Sequence, residues 1–363
     1  MIKFFLVFLG WLFFSNFEAL QAEANQSWKV GYRLLTFEDP NRLAWDELKQ
    51  RPIVTHVWYP AISSQKETLV QVPSDDPVFI GGLVVVGGTP LVIDSKMPLV
   101  VMSHGTGGSA FQMMWLARAL VQKGFIVAAV DHHGNTAAEP KFDPRGFRLP
   151  WYRIKDLTFM IDSLTNNDTF GRLVDFDRIG AVGFSLGGYT VTGLAGGKTH
   201  RELFSKFCKS SARDATCDAQ VEYPEADRDL EILIEDDPSI ITLIADHRGD
   251  YSDSRLRSVV MLAPALGKIF EPESLAAIKI PALVIVGDED ATAPLETNGA
   301  VIANAIPTAR LEVIQGGNHY AYLNSCTVRV KQIVDACKDG TKERHKVQIE
   351  TITLVLKHLK ATL

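Results

Sequence analysis

Residues 179–190 read IGAVGFSLGGYT, and the fold turns on this stretch. Its first six residues form a near-continuous apolar run, as expected of a strand buried on both faces. Gly183-Phe184-Ser185-Leu186-Gly187 then gives the pattern G-x-S-x-G and opens a small-residue helical segment. A serine between a buried strand and a helix sits on a sharp, strained turn. Glycines flank it because side chains there would collide with strand or helix. Ser185 Oγ is thereby held out beyond the sheet. The pattern alone is a weak signal, but its place between that strand and that helix makes Ser185 a candidate nucleophile.

Working outward, the same kind of apolar run recurs at 98–103 (PLVVMS), 125–130 (FIVAAV), 258–262 (SVVML) and 282–287 (ALVIVG). Strands are also expected at 30–36, 53–59 and 311–314. Helical spacing fills the gaps: Met114, Leu116, Leu120 and Val121 form one stripe, and Ile154, Leu157, Ile161 and Leu164 form another. Residues 296–305 and 346–359 follow the same spacing. Strands alternating with helices predict an α/β protein with a mostly parallel central sheet flanked by helices. Residues 196–257 break the rhythm. Between Arg213 and Arg255 there are 13 Asp or Glu against 4 Arg. This stretch reads as a solvated insertion or, more sharply, as a cap that covers the site and discourages anionic substrates.

The chain has 363 residues, of which 46% are hydrophobic and 22% charged, enough apolar surface to exclude a disordered polymer. Its formal net charge is −6 and it has no long basic run, which excludes a nucleic-acid backbone as partner. The first 24 residues have the layout of a secretory signal peptide: Lys3, the apolar run FFLVFLGWLFF over 4–14, and small residues at Ala22 and Ala24. The alternative is an uncleaved membrane anchor, although the run is short for a bilayer span. The mature domain is expected to be 25–363, exported to the periplasm or the medium, with no stable membrane span. Four cysteines allow three pairings. The local pairs Cys208–Cys217 and Cys326–Cys337 are expected in an oxidising compartment, against the alternative of four buried free thiols.

A serine nucleophile needs a base. His319, in the glycine-rich loop GGNHY after the last strand, is the best placed of nine histidines. His345 and His358 fall in a charged C-terminal helix and are expected to be exposed. The imidazole needs an orienting carboxylate, and Asp288, Glu289 and Asp290 follow the run ALVIVG. An oxyanion needs donors. The Leu186 N–H, next after the serine, is one. The loop Ser103-His104-Gly105-Thr106-Gly107-Gly108 supplies the other, with Thr106 first and Gly105 or Gly107 as alternatives. His104 and Gly105 in this loop, and Phe184 before the serine, are the candidate substrate-binding residues. His104 is expected to buttress the loop rather than to do acid–base work. Asp131-His132-His133-Gly134 lacks a further ligand cluster for a metal and is expected to line the mouth of the site.

The segments VVMSHGTGG (100–108), GFIVAAVDHHGN (124–135), GAVGFSLGGYT (180–190), IPALVIVGDEDATAP (280–294) and GGNHYAYLNSC (316–326) together resemble the α/β-hydrolase superfamily. More narrowly, they resemble dienelactone-hydrolase-like bacterial proteins related to the plasma-type platelet-activating-factor acetylhydrolases. The resemblance implies a catalytic triad of Ser185, Asp290 and His319, with Asp290 preferred to Asp288 by its place in the loop. It implies an oxyanion hole at Thr106 and Leu186, and hydrolysis of carboxylic esters without metal or cofactor. Phe184 stands where a histidine is frequent in these relatives. The function expected is an exported serine esterase acting on a small-molecule or lipid-like acyl ester. An acyltransferase with the same triad and a non-catalytic binding protein on this fold are the alternatives.

Overall fold

The computed structural model describes residues 28–363, so the expected signal peptide lies outside the described residues. The strands are β1 (Lys29–Leu43), β2 (Gln50–Ala61), β3 (Thr68–Val72), β4 (Phe79–Val86), β5 (Met97–Ser103), β6 (Ile126–Asp131), β7 (Val174–Phe184), β8 (Leu256–Leu262), β9 (Ala282–Gly287), β10 (Ala309–Ile314) and β11 (Ser325–Cys326). The main helices are α1 (Met114–Val121), α2 (Trp151–Thr165), α3 (Leu186–Leu194), α4 (Arg201–Cys208), α5 (Ala226–Asp236), α6 (Ile240–Ala245), α7 (Gly299–Ala305) and α8 (Arg344–Thr362).

The strand order is β10-β9-β8-β7-β5-β6-β2-β1-β4-β11, with β3 on β4. The six strands from β10 to β6 run parallel, which accounts for the apolar runs of the five inner ones, while the edge strand β10 keeps Arg310 and Glu312. β2 joins them antiparallel through β6, and β1 pairs antiparallel with β2 over almost its full length. Both faces of the sheet are covered. Leu99, Val101, Ala181 and Val259 pack towards α2 and α3, while Val100, Val182, Val260 and Leu283 pack towards α1 and α8.

The chain passes from β5 to β6 on one side, then returns to place β7 on the other side of β5. In open parallel sheets such a reversal leaves a crevice beyond the carboxyl ends of the strands, where ligands bind. The loops after β5 and β7 meet there.

The expected strands and helices are present with shifted ends, and two regions differ. β3 and β4 were not foreseen: β4 reads FIGGLVVV, with a glycine pair inside it, and β3 is short and half exposed. The helix expected from 296 begins at Gly299, after a loop through Asn298. Residues 196–257 are a set of short helices, α4 to α6, with α4 burying none of its residues. Two disulfides, Cys208–Cys217 and Cys326–Cys337, close the two local loops, in keeping with an oxidising compartment. Among the described residues no helix is long and apolar enough to cross a membrane.

Candidate active site

Ser185 adopts φ 54° and ψ −117°, a conformation that only a tightly held turn maintains. Its N–H donates to Leu262 O at 3.0 Å, and its carbonyl accepts from Gly188 at 2.8 Å and Ala265 at 3.1 Å. Gly187 is obligatory, because a Cβ there would stand 1.9 Å from the Ser103 carbonyl. The turn is therefore locked to both neighbouring strands, β5 and β8, and all nine residues of α3 behind it are buried.

His319 Nε2 lies 3.0 Å from Ser185 Oγ, and His319 Nδ1 lies 2.8 Å from Asp290 Oδ2. The carboxylate only accepts, so Nδ1 carries the proton and Nε2 is left to accept from the serine hydroxyl. The other Asp290 oxygen accepts from the N–H groups of Thr292 (3.0 Å) and Ala293 (2.7 Å), which fixes the carboxylate. Its two neighbours are used elsewhere. Asp288 accepts from Gly316 N at 2.6 Å, tying the His319 loop to β9, and Glu289 accepts from Thr341 N at 2.8 Å. Ser185, Asp290 and His319 are all buried.

The 104–108 loop is clamped one amide at a time. Gly105 N–H donates to Gln112 Oε1 and Gly107 N–H to Asn135 Oδ1, both at 2.7 Å, and Gly108 N–H turns back to Gly105 O. Thr106 N–H has no protein acceptor among the described residues, and neither has Leu186 N–H at the start of α3. Two amides at the cavity wall are thus free to receive a negative oxygen. Arg153 holds the loop from behind through the His104 carbonyl.

These groups open into a cavity of about 320 Å³ whose wall includes Gly105, Thr106, Phe184 and His319. Residues 215–222, from the acidic stretch, close its far side. The Phe184 ring lies 5.0 Å from the His319 ring, beneath the imidazole. His104 takes no part in the wall. It is buried, with Nδ1 donating to Gly105 O at 2.7 Å and Nε2 accepting from His132 N at 3.2 Å. That pairing requires a neutral ring, and burial with the nearby Arg153 charge keeps its pKa well below the ordinary range.

The expectation that Asp131-His132-His133-Gly134 lines the mouth is corrected. Asp131 accepts from Ala110 N at 2.7 Å and pairs with His56 at 2.8 Å, inside the molecule. His132 is fully buried between Ser103 Oγ and Asp156, and burial pushes its pKa down to about 4. Gly134 and His133 face a separate groove beside Trp45. Among the described residues no group of three metal-binding side chains converges. The expected exposure of His358 is also corrected. Its Nε2 meets Ser258 Oγ at 2.9 Å under β8, and burial pushes its pKa down to about 4. His345 is exposed, as expected.

Gln112, Asn135 and Arg153 were missed as loop supports. The available signal was a polar side chain inside an otherwise apolar stripe: Gln112 among 111–122 and Arg153 beside Ile154. Nothing local distinguished Asn135.

A strained serine turn at the crossover of a parallel sheet, with a carboxylate and an imidazole from two later strand ends, is the arrangement found in hydrolase-type sites. The alpha/beta hydrolase family model matches residues 100–330, and the chain belongs to that family. Among solved structures, it is similar to a ferulic acid esterase from Streptomyces cinnamoneus, with a TM-score of 0.62 and 20% identity over 93% of this chain and 91% of that one. It is also similar to a puromycin-hydrolyzing peptidase from Mycobacterium tuberculosis, with a TM-score of 0.51 and 12% identity over 92% of this chain and 39% of that one. Among curated proteins, dipeptidyl-peptidase 5 of Porphyromonas gingivalis is 29% identical over 119 residues, 31% of this chain. The matched segment spans only 16% of that relative's length.

Proposed function

We propose that the protein is an exported serine hydrolase that cleaves small carboxylic esters through an acyl-enzyme on Ser185. The observation that carries this reading is the unbroken chain from Ser185 Oγ through His319 to Asp290, at 3.0 and 2.8 Å. His319 Nε2 takes the hydroxyl proton as Oγ attacks the ester carbonyl. Asp290 keeps the imidazole in the required tautomer and stabilises the imidazolium. The oxyanion forms against the Thr106 and Leu186 N–H groups. The imidazolium then protonates the leaving alcohol, the ester C–O bond breaks, and a water activated by His319 releases the acid by the same route.

Small esters are favoured over a peptide threaded through the site because residues 215–222 roof a cavity of about 320 Å³. Export is supported by the signal-like residues 1–24 and by the two disulfides. The test is labelling with a fluorophosphonate, together with hydrolysis of a short-chain nitrophenyl ester. Labelling lost in Ser185→Ala supports the proposal; an unlabelled wild-type protein that cleaves no ester refutes it.

A further inference from the structure

Glu222 is the last of the roof residues, and its side chain descends towards the 104–108 loop. Its Cγ would be 2.9 Å from a Cβ placed on Gly107, beside the free Thr106 amide. The glutamate and His319 face the same cavity. No lysine or arginine lines that cavity, and among the described residues no side chain donates to the Glu222 carboxylate. The other roof carboxylate in the wall, Asp218, is already paired with Arg213 at 2.5 Å. Glu222 therefore brings an uncompensated negative charge to the place where an ester would sit.

Burial raises the Glu222 carboxyl above its ordinary range, and its own backbone amide and the nearby His319 offset this only in part. Glu222 shares the cavity wall with His319 and Tyr320, within electrostatic reach of the Tyr320 hydroxyl, which burial and the Glu222 charge push up. His319 delivers its proton to the departing alcohol, so this is the side on which the alcohol portion lies.

We propose that Glu222 is a specificity residue that selects esters whose alcohol portion carries a positive charge, an inference that rests on the ester hydrolysis proposed above. A negative charge over the site opposes the growing oxyanion when the substrate is neutral. A cationic alcohol portion pairs with the carboxylate and removes that opposition. Anionic alcohol portions are repelled outright.

The experiment compares a choline ester with the 3,3-dimethylbutyl ester of the same acid, an uncharged isostere, in the wild type and in Glu222→Gln. Wild-type kcat/KM is expected to favour the choline ester by about fivefold, the scale of a partly solvated ion pair. The preference should shrink as salt is added. In Glu222→Gln it should fall to about one, because the choline ester loses rate relative to its isostere. A role confined to holding the roof in place would slow both esters alike. A wild-type ratio of one or less overturns the proposal, and so does a ratio that survives the substitution. So does a protein that labels with fluorophosphonate yet cleaves neither ester. Failure of the label on the wild type overturns the hydrolase reading itself, so the two failures are distinguishable.

Discussion

Arg51, Arg153 and Asp156 are almost wholly buried behind the 104–108 loop, whereas α4, in the same insertion as the roof residues, buries none of its eight residues. Behind the loop, Asp156 accepts from Arg51 at 2.8 and 2.9 Å, from Arg42 at 2.8 Å and from His132 at 3.2 Å. In front, the roof is fastened by more exposed contacts. Arg148 meets Asp227 at 2.7 Å, Lys155 meets Asp246 at 2.5 Å, and Asn298 reaches Asp214 at 3.0 Å. A buried network built around one carboxylate that accepts from several donors has few low-energy arrangements and holds an amide in place. A solvated fringe tolerates many. On the function and specificity proposed above, the chemistry belongs to the floor and the choice of substrate to the roof.

The largest expected effect lies on the floor. Ser185→Ala and His319→Ala should each reduce turnover of a nitrophenyl ester by at least ~10³-fold while leaving the unfolding midpoint near that of the wild type. Near-normal turnover in either would break the assignment. Next, Asp156→Asn should destabilise by about 3–5 kcal/mol in chemical denaturation, since it strands Arg51 without its counter-charge. The matching change in the roof, Asp227→Asn, should cost less than about 1 kcal/mol, because the carboxylate it removes is largely solvated. Equal costs would erase the comparison.

Acidification probes the floor differently. Burial holds His132 and His358 down to about 4, and His104 lower than its ordinary range. The unfolded chain takes up these protons as the pH drops below about 6.5, whereas the folded chain does not until about 4. Stability is therefore lost across that interval on lowering the pH, by about 2 kcal/mol for His132 alone between pH 7 and pH 5. Burial pushes the Asp156 carboxyl up, but the Arg51 and Arg42 charges outweigh it and hold the group well below the carboxylate range, so its own loss comes at lower pH. Denaturation midpoints that do not move between pH 7 and pH 5 would contradict this. The smallest effect expected is on positioning. Asn135→Ala frees the Gly107 amide and should lower kcat by about tenfold with little change in KM. A rise in KM alone would place Asn135 in ground-state binding instead.

The parallel strands could be read from sequence because a strand buried on both faces leaves an uninterrupted apolar run, as in ALVIVG and IGAVGF. The loops after those strands, carrying Ser185 and Asp290, could be read for the same reason, because the strand fixes where each loop begins; His319 follows the more alternating strand β10 and is read from its glycine-rich loop instead. Partners distant in sequence could not be read. His358 sits in a helix with many charged residues, yet its ring finds Ser258, 100 residues away, and nothing within the helix announces this. The Asp131-His132 pair has the look of a surface metal site until its partners, Ala110, His56, Ser103 and Asp156, are known. Glu222 is one of 13 acidic residues in its stretch, and only the path of the backbone over Gly107 singles it out.

The acidic stretch leaves the sheet after α3 and rejoins it at β8, and the two strands it connects, β7 and β8, are immediate neighbours. Its ends are tied together by Asp253 N–H donating to Leu194 O at 3.0 Å, by the Lys198–Asp250 ion pair at 3.2 Å and by His247 Nδ1 against Thr199 O at 3.2 Å. A segment whose two ends already touch can be lengthened, shortened or exchanged at a closure penalty that grows only slowly with length. The molecule is thus laid out as a fixed engine with a replaceable faceplate. A laboratory selecting for new substrates would have a natural cassette to randomise between Leu194 and Asp253.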